Sequence, residues 1–78
     1  MHKMPSISSK ELARLLEKGG AVLIRQGSTD HAMYSRTIEG RRYSVPVQMG
    51  KRNLDPIYCK RVLRQLKFTN EEIEELLK

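Results

Sequence analysis

Few residues in this sequence can form covalent cross-links or bind a metal. There is a single cysteine, Cys59, among 78 residues, and there is no tryptophan. A lone cysteine excludes an intrachain disulfide, and we expect Cys59 to pack as a small apolar residue rather than to react. The two histidines, His2 and His31, are far apart in the sequence, and Cys59 has no partner at a ligand spacing. The sequence therefore offers no credible metal site, and we expect no cofactor.

Long apolar segments are also missing. The longest purely apolar run, residues 21–24, is too short for a transmembrane helix or for the core of a signal peptide. We therefore expect a cytoplasmic protein. With 38% hydrophobic residues, the chain is expected to form one domain over residues 1–78, of which residues 1–6 are frayed. A domain of this size buries roughly 60% of its unfolded surface, which leaves a surface cleft, rather than a deep pocket, for a ligand.

Acidic residues are scarce in the second half of the chain until its end. Between Arg41 and Lys67 there are eight basic residues and one acid, Asp55, whereas four of the nine acids lie in the last eight residues. The formal net charge is +6 and the sequence pI is about 9.8. A surface with this asymmetry attracts polyanions, and nucleic acid is the first candidate partner. The alternative is a solvated basic face without a dedicated partner.

Local signals predict three helices. Residues 8–11 have the Ser-x-x-Glu spacing of a capping box, and Gly19-Gly20 ends the helix that this box begins. Asp55-Pro56 is a second helix start, with aspartate as the N-cap and proline in the first turn. Residues 69–72 repeat the capping box before a short final helix.

Between the first two helices, three segments predict an antiparallel sheet, namely residues 21–26, 31–37 and 42–47. Because the run 21–24 is apolar without alternation, we expect the first strand to be buried on one face and partly covered on the other. His31 and Ala32 point to opposite faces of the second strand, and parity leaves open which face is the core. Glu39-Gly40 supplies a tight turn, and Pro46 places the third strand at an edge or ends it. We therefore predict an α+β fold, α-β-β-β-α with a short extra C-terminal helix and the helices on one face of the sheet.

The candidate chemical group is His31, the only internal histidine, which follows the polar stretch 25–30. A histidine can gain or lose a proton near neutral pH, so one beside a basic surface is a candidate acid or base for phosphate chemistry. The other interpretation is a surface or hydrogen-bonded histidine without a catalytic role. Tyr34 and Tyr43 are expected to pack in the sheet rather than to stack on bases.

Taken together, residues 7–77 resemble the HicA (YcfA-like) family of bacterial toxin–antitoxin mRNA interferases. The motifs that carry the resemblance are Ser-x-Lys-Glu-Leu…Leu-Glu-Lys-Gly-Gly, Val-Leu-Ile-Arg-Gln-Gly-Ser…His-x-Met-Tyr, Gly-Arg-Arg-Tyr-Ser-Val-Pro-Val and Leu-x-Pro-x-x-x-x-x-x-Leu-x-Gln-Leu. The common family form is Gly-Ser-His-His, with the first histidine catalytic. Here Thr29-Asp30 stand between Gly27-Ser28 and His31, and Ala32 replaces the second histidine. The resemblance implies a fold similar to double-stranded-RNA-binding domains and makes His31 the catalytic residue.

The resemblance further implies a metal-independent endoribonuclease that cleaves mRNA and is neutralised by a HicB-type antitoxin protein. Cleavage through the 2′-hydroxyl needs a base, charge stabilisation at phosphorus and protonation of the leaving oxygen. His31 can serve as acid or base, and the other role must fall to water, a lysine, Tyr34 or the RNA itself. The candidate RNA-binding residues, chosen for charge and loop position alone, are Arg41, Arg42, Lys51 and Arg52.

Two other functions fit the same residues. The chain could be a non-catalytic RNA-binding module that reads A-form shape through phosphate and 2′-hydroxyl contacts. It could also be a small protein whose positive face docks an acidic protein. Cleavage of single-stranded RNA in the presence of EDTA separates the nuclease from both.

Overall fold

The helices begin where the capping residues predict. The computed structural model describes residues 6–26 and 30–77, and its helices are α1 (Ser9–Lys18), α2 (Pro56–Gln65) and α3 (Asn70–Leu76). At α1, the Ser8 hydroxyl accepts from the Glu11 amide and the Glu11 carboxylate accepts from the Ser8 amide. Thr69 and Glu72 make the same reciprocal pair at α3. Asp55 caps α2 by accepting from the Ile57 amide. Both predicted capping boxes and the Asp-Pro start are confirmed.

The three strands form one antiparallel sheet in the order β1-β2-β3, with bounds β1 (Val22–Gln26), β2 (His31–Ile38) and β3 (Arg41–Gln48). Glu39 and Gly40 both have positive φ, 49° and 81°, and connect β2 to β3 in the left-handed conformation that suits a two-residue hairpin turn. The third strand is an edge strand, as Pro46 predicts. The α+β prediction, with three antiparallel strands between helices, is confirmed.

One face of the sheet carries the core. Ala32 and Tyr34 of β2 and Val45 and Val47 of β3 are buried, and they share a core cluster with buried residues of α1 and α2. The cluster members from α1 and α2 are Leu12, Ala13, Leu16, Cys59, Val62 and Leu63, and α3 adds Ile73 and Leu76. The core face of β2 is therefore the one that carries Ala32, and His31 points to the opposite face. We call this second face the helix-free face, since in the described part of the chain all three helices bury residues in the core cluster.

The prediction for β1 was wrong. Its residues are all exposed, and Val22, Leu23 and Ile24 keep 58%, 44% and 46% of their surface in contact with solvent. An unbroken apolar run is typical of a strand with a neighbour on each side and cover on its faces. Here β1 lies at the edge of the sheet, and burial begins only at the preceding residue, Ala21. The buried residues of the sheet belong to β2 and β3, so the helix layer covers the core face of these two strands rather than β1.

A pair of matched substitutions tests this difference between strands. Val22→Thr should change the free energy of unfolding by less than about 0.5 kcal/mol, because an exposed side chain loses little when it gains a hydroxyl. Val45→Thr should cost about 1–3 kcal/mol, because Val45 is 2% exposed and the new hydroxyl is buried beside apolar side chains. Urea unfolding of both variants gives the comparison. Equal losses would mean that β1 is as well covered as β3.

Helix α3 is attached to the sheet through Arg36 of β2. The Arg36 guanidinium is ion-paired with Glu72 and donates to the Leu66 carbonyl at 3.1 Å. It also stacks on Phe68, with its central carbon 3.8 Å from the ring centroid. The Thr69 amide, and after it Arg36, hold the pKa of the Glu72 carboxyl below its usual range, although partial burial acts in the opposite direction.

A lowered pKa makes the contribution of Glu72 dependent on pH. The ionised carboxylate stabilises the folded state above the unfolded pKa of about 4.3, and this contribution disappears as the pH falls through the folded pKa. Glu72→Gln should therefore be less stable than wild type at pH 7 and should converge with it in acid. Gln still completes the capping box, so the variant removes only the charge. The difference should stay below about 1 kcal/mol, because the Glu72 side chain is 40% exposed. Melting temperatures from pH 7 to pH 3 measure it, and a difference that grows in acid would contradict the assignment.

Candidate active site on the helix-free face

His31 stands at the end of a firmly paired ladder. It is the first residue of β2, lies opposite Gln48 of β3, and is exposed. The ladder is extended by a 2.6 Å hydrogen bond from the Met49 amide to the Asp30 carbonyl. The Gln48 amide donates to the Tyr58 hydroxyl of α2 at 3.0 Å. The backbone under His31 is thus fixed from the sheet and from the helix layer, while the imidazole remains accessible to a ligand.

Arg25 of β1 lies on the same face as His31. It pairs with Met33, which is two residues beyond His31 on β2, so Arg25 and His31 are diagonal neighbours. Such neighbours have Cα atoms about 7–8 Å apart, within the reach of an arginine side chain. Arg25 is exposed. The arrangement places a permanent positive charge beside an imidazole that can exchange a proton.

A β-bulge determines the direction of Arg25. Leu23 pairs with Tyr34, so an uninterrupted ladder would place Arg25 opposite Ala32 and on the core face. The register shifts between Leu23 and Arg25, and the extra residue rotates Arg25 to the helix-free face. Arg25 is not among the site residues predicted from the sequence, in which no local signal marks this register shift.

Lys51 and Arg52 lie near the same end of the sheet. They follow Gln48, the pairing partner of His31, by three and four residues, and both are exposed. The buried Ser9 side chain holds this loop: its hydroxyl donates to the Gln48 carbonyl at 2.7 Å and accepts from the Lys51 amide at 3.1 Å. The Ser9 amide donates to the Lys51 carbonyl at 3.0 Å. Two of the four predicted RNA-binding residues therefore follow the strand end that pairs with His31.

The other two, Arg41 and Arg42, lie at the opposite end. Arg42 pairs with Thr37, six residues along β2 from His31, which corresponds to about 20 Å of strand. Arg42 shares the helix-free face, whereas Arg41 is on the alternate face. The structure thus divides the predicted set into two pairs rather than gathering it at one place.

A comparison with known protein families found a match that covers most of the chain. The family model described as the HicA toxin of bacterial toxin–antitoxin systems matches residues 9–68, which are 60 of the 78 residues. The chain belongs to this family. The match begins at the first residue of α1 and ends before α3. Comparisons with curated proteins and with solved structures found no significant match.

In this HicA-family chain, Tyr34 cannot take part in chemistry on the helix-free face, where His31 lies. Tyr34 is 3% exposed and lies on the core face, across the sheet from the imidazole. Burial raises the pKa of its hydroxyl, and Glu17 adds to the shift. Tyr43, on the same core face, is half-buried. Both tyrosines pack in the sheet as predicted.

Part of the segment that precedes His31 lies outside the residues that the structure describes. Gly27, Ser28 and Thr29, which connect Gln26 to the strand of His31, lie outside them. Within residues 6–26 and 30–77, no group of three or more metal-ligating side chains is close enough to hold an ion. None of the helices there has the length and apolar character needed to cross a bilayer.

Proposed function

We propose that this HicA-family toxin is an endoribonuclease that cleaves mRNA without a metal ion, with His31 as its catalytic acid or base. The observation that carries the proposal is the placement of an exposed imidazole beside Arg25 on the open face of the sheet. RNA cleavage by transesterification needs a proton-transfer group and a positive charge near phosphorus, and this pair supplies both.

The proposed reaction uses the RNA's own 2′-hydroxyl as nucleophile. His31 removes the proton from this hydroxyl, the 2′-oxygen bonds to phosphorus, and the bond from phosphorus to the 5′-oxygen breaks. Arg25 stabilises the charge that develops on the phosphoryl oxygens. The products are a 2′,3′-cyclic phosphate and a 5′-hydroxyl. One imidazole cannot begin both as base and as acid, so water, a lysine or the RNA protonates the leaving oxygen.

Purified protein, single-stranded RNA and EDTA provide the direct test. The nuclease proposal predicts fragments in the presence of EDTA. The second candidate, a non-catalytic RNA-binding module, is favoured by the exposed cations at both ends of the helix-free face. It predicts retarded but intact RNA. If the protein neither binds nor cleaves the RNA, both candidate functions are contradicted.

The RNA-binding role of Lys51 and Arg52 predicts a change in salt dependence. Replacing both with Gln should reduce the slope of log affinity against log salt by about 1.4, since each phosphate contact on a single strand contributes about 0.7. The preferred RNA sequence should not change, because phosphate contacts carry no base information. Fluorescence anisotropy at several salt concentrations measures the slope. Lys10→Gln with Lys18→Gln is the matched control, since it removes two exposed charges from α1. An equal change of slope in the control would show that the slope depends on net charge alone and not on Lys51 and Arg52.

We further propose that a HicB-type antitoxin neutralises the toxin and that both act in the cytoplasm, where mRNA is translated. Membership of a toxin–antitoxin family supports the existence of such a partner. Expression of the toxin alone should arrest growth, and co-expression with the antitoxin should restore it. Unimpaired growth with abundant folded protein would contradict the toxin activity.

A further inference from the structure

Helix α2 presents a basic groove on its outer side. The groove has a volume of about 440 Å³ and is lined by Ile57, Lys60, Arg61, Arg64, Gln65 and Lys67. All six residues are exposed, and none is acidic. Four positive charges therefore surround one apolar side chain, Ile57, which is 70% exposed. We call these six residues the α2 groove.

Only part of this charge is engaged within the chain. Arg64 donates to the Asn70 side chain at 3.0 Å, and the Lys67 ammonium lies 5.4 Å from the centroid of the Tyr43 ring. Lys60 and Arg61 take part in no ion pair among residues 6–26 and 30–77. An anionic ligand would gain these charges without breaking an internal salt bridge.

The α2 groove and His31 lie on opposite sides of the domain. The helix buries Cys59, Val62 and Leu63 against the core face of the sheet, so its groove side points away from the sheet. His31 projects from the helix-free face. An RNA held at His31 would have to pass around an edge of the sheet to reach the groove. The phosphate contacts proposed for Lys51 and Arg52 are at the end of the sheet that carries His31.

We propose that the α2 groove docks an acidic segment of a partner protein, with an apolar side chain of that segment packed on Ile57. Charge complementarity favours this occupant, because four cations in a groove without acids attract a run of carboxylates. The exposed isoleucine favours a protein over a nucleic acid, since phosphates gain nothing from an apolar anchor, whereas protein interfaces place such anchors inside a polar rim.

If the partner is the antitoxin, the inference rests on the partner half of the proposed function. In that case the antitoxin holds the toxin from the side opposite His31, and contacts to the helix-free face are additional. The docking surface itself can be measured without the antitoxin and without catalysis.

Two fluorescent probes distinguish the occupants. One is a synthetic peptide, Glu-Glu-Leu-Glu-Glu-Leu-Glu-Glu, and the other is a 12-nucleotide 2′-O-methyl RNA that offers no nucleophilic hydroxyl. Two variants carry equal charge changes: a groove variant, K60E/R61E/R64E, and a sheet variant, R25E/K51E/R52E. All six positions are exposed, so circular dichroism and melting temperature should match wild type.

The groove variant should weaken peptide binding by at least about tenfold and RNA binding by no more than about threefold, and the sheet variant should do the reverse. Ile57→Gln should also weaken peptide binding, with RNA binding unchanged. Loss of RNA binding with intact peptide binding in the groove variant would make this an RNA surface. If both variants weaken peptide binding equally, the peptide responds to net charge alone and the α2 groove is not its docking site.

A second copy of the chain is the remaining occupant, because α3 is acidic. Sedimentation of wild-type protein should show a monomer at micromolar concentration; self-association abolished by the groove variant would overturn the proposal in favour of α3 of another copy. Cleavage by the groove variant is scored separately. Failure of the docking surface would appear as a groove variant that binds the peptide like wild type, whereas failure of the nuclease proposal would appear as wild-type protein that binds the peptide but leaves RNA intact.

Discussion

We expect His31→Ala to lower the rate of RNA cleavage by about 10²–10⁴-fold while the melting temperature and the RNA affinity stay close to wild type. Removing a positioned acid or base typically has an effect of this size. Binding should survive, because it depends on several cations rather than on one imidazole. The fold should survive because His31 is exposed, so the substitution leaves no cavity in the core.

Thr37→Ala is the matched control for His31→Ala. Thr37 is exposed, belongs to the same strand and lies on the same helix-free face, at the other end. Its replacement should leave cleavage unchanged. If the His31→Ala variant cleaves RNA at the wild-type rate, His31 has no part in the mechanism. A variant that melts early would show that the histidine supports the fold, and its lost activity would then follow from unfolding.

Gly19→Ala should lower the free energy of unfolding by about 1–3 kcal/mol, which is the usual cost of overpacking a filled site. A Cβ at this position would collide with Cε1 of Phe68 and would lie 2.7 Å from its Cζ. The φ of Gly19 is −86°, which alanine adopts without strain, so the loss would come from the contact alone. Without that contact, replacing glycine by alanine would instead stabilise the chain by about 0.4–1 kcal/mol.

Phe68→Leu separates the steric cause from other causes. A smaller side chain at position 68 removes the ring atoms that a Cβ at position 19 would meet, so the double variant should lose less stability than the sum of the two single losses. Urea unfolding of the four proteins gives the coupling energy. Additive losses, or a Gly19→Ala variant as stable as wild type, would contradict the close packing of the α1 end on Phe68.

The elements of this fold were predictable because their signals are local. Ser8 and Glu11 are three residues apart and satisfy each other's backbone amides, so the helix start is encoded without reference to the rest of the chain. Gly40 likewise adopts without steric cost the positive φ that the turn after β2 requires, and Asp55 caps the helix that follows it directly. The positions of the three strands followed from the segments between these signals.

Burial and side-chain direction in β1 were not predictable in the same way. The apolar run at 22–24 indicates a strand, but its exposure depends on where the strand lies in the sheet. The direction of Arg25 depends on one extra residue in the ladder with β2. No local sequence motif predicts that bulge, so the position of the Arg25 charge relative to His31 is known only from the pairing of β1 with β2.

The distribution of the basic residues also depended on long-range contacts. Arg42 and Lys51 are nine residues apart in the sequence, yet β3 carries the chain between them from one end of the sheet to the other. Charge and loop position are enough to predict both residues as candidate RNA-binding residues. Only the pairing of β3 with β2 shows that Lys51 lies near the end that carries His31.

In the reaction that we propose, this HicA-family chain cleaves RNA through the RNA's own 2′-hydroxyl. The most direct measurement compares an RNA with a 2′-O-methyl RNA of the same sequence, each incubated with wild-type protein in EDTA. We expect fragments ending in a 2′,3′-cyclic phosphate and a 5′-hydroxyl from the first RNA and no fragments from the second. Bound but intact RNA, or equal cleavage of both RNAs, would contradict it.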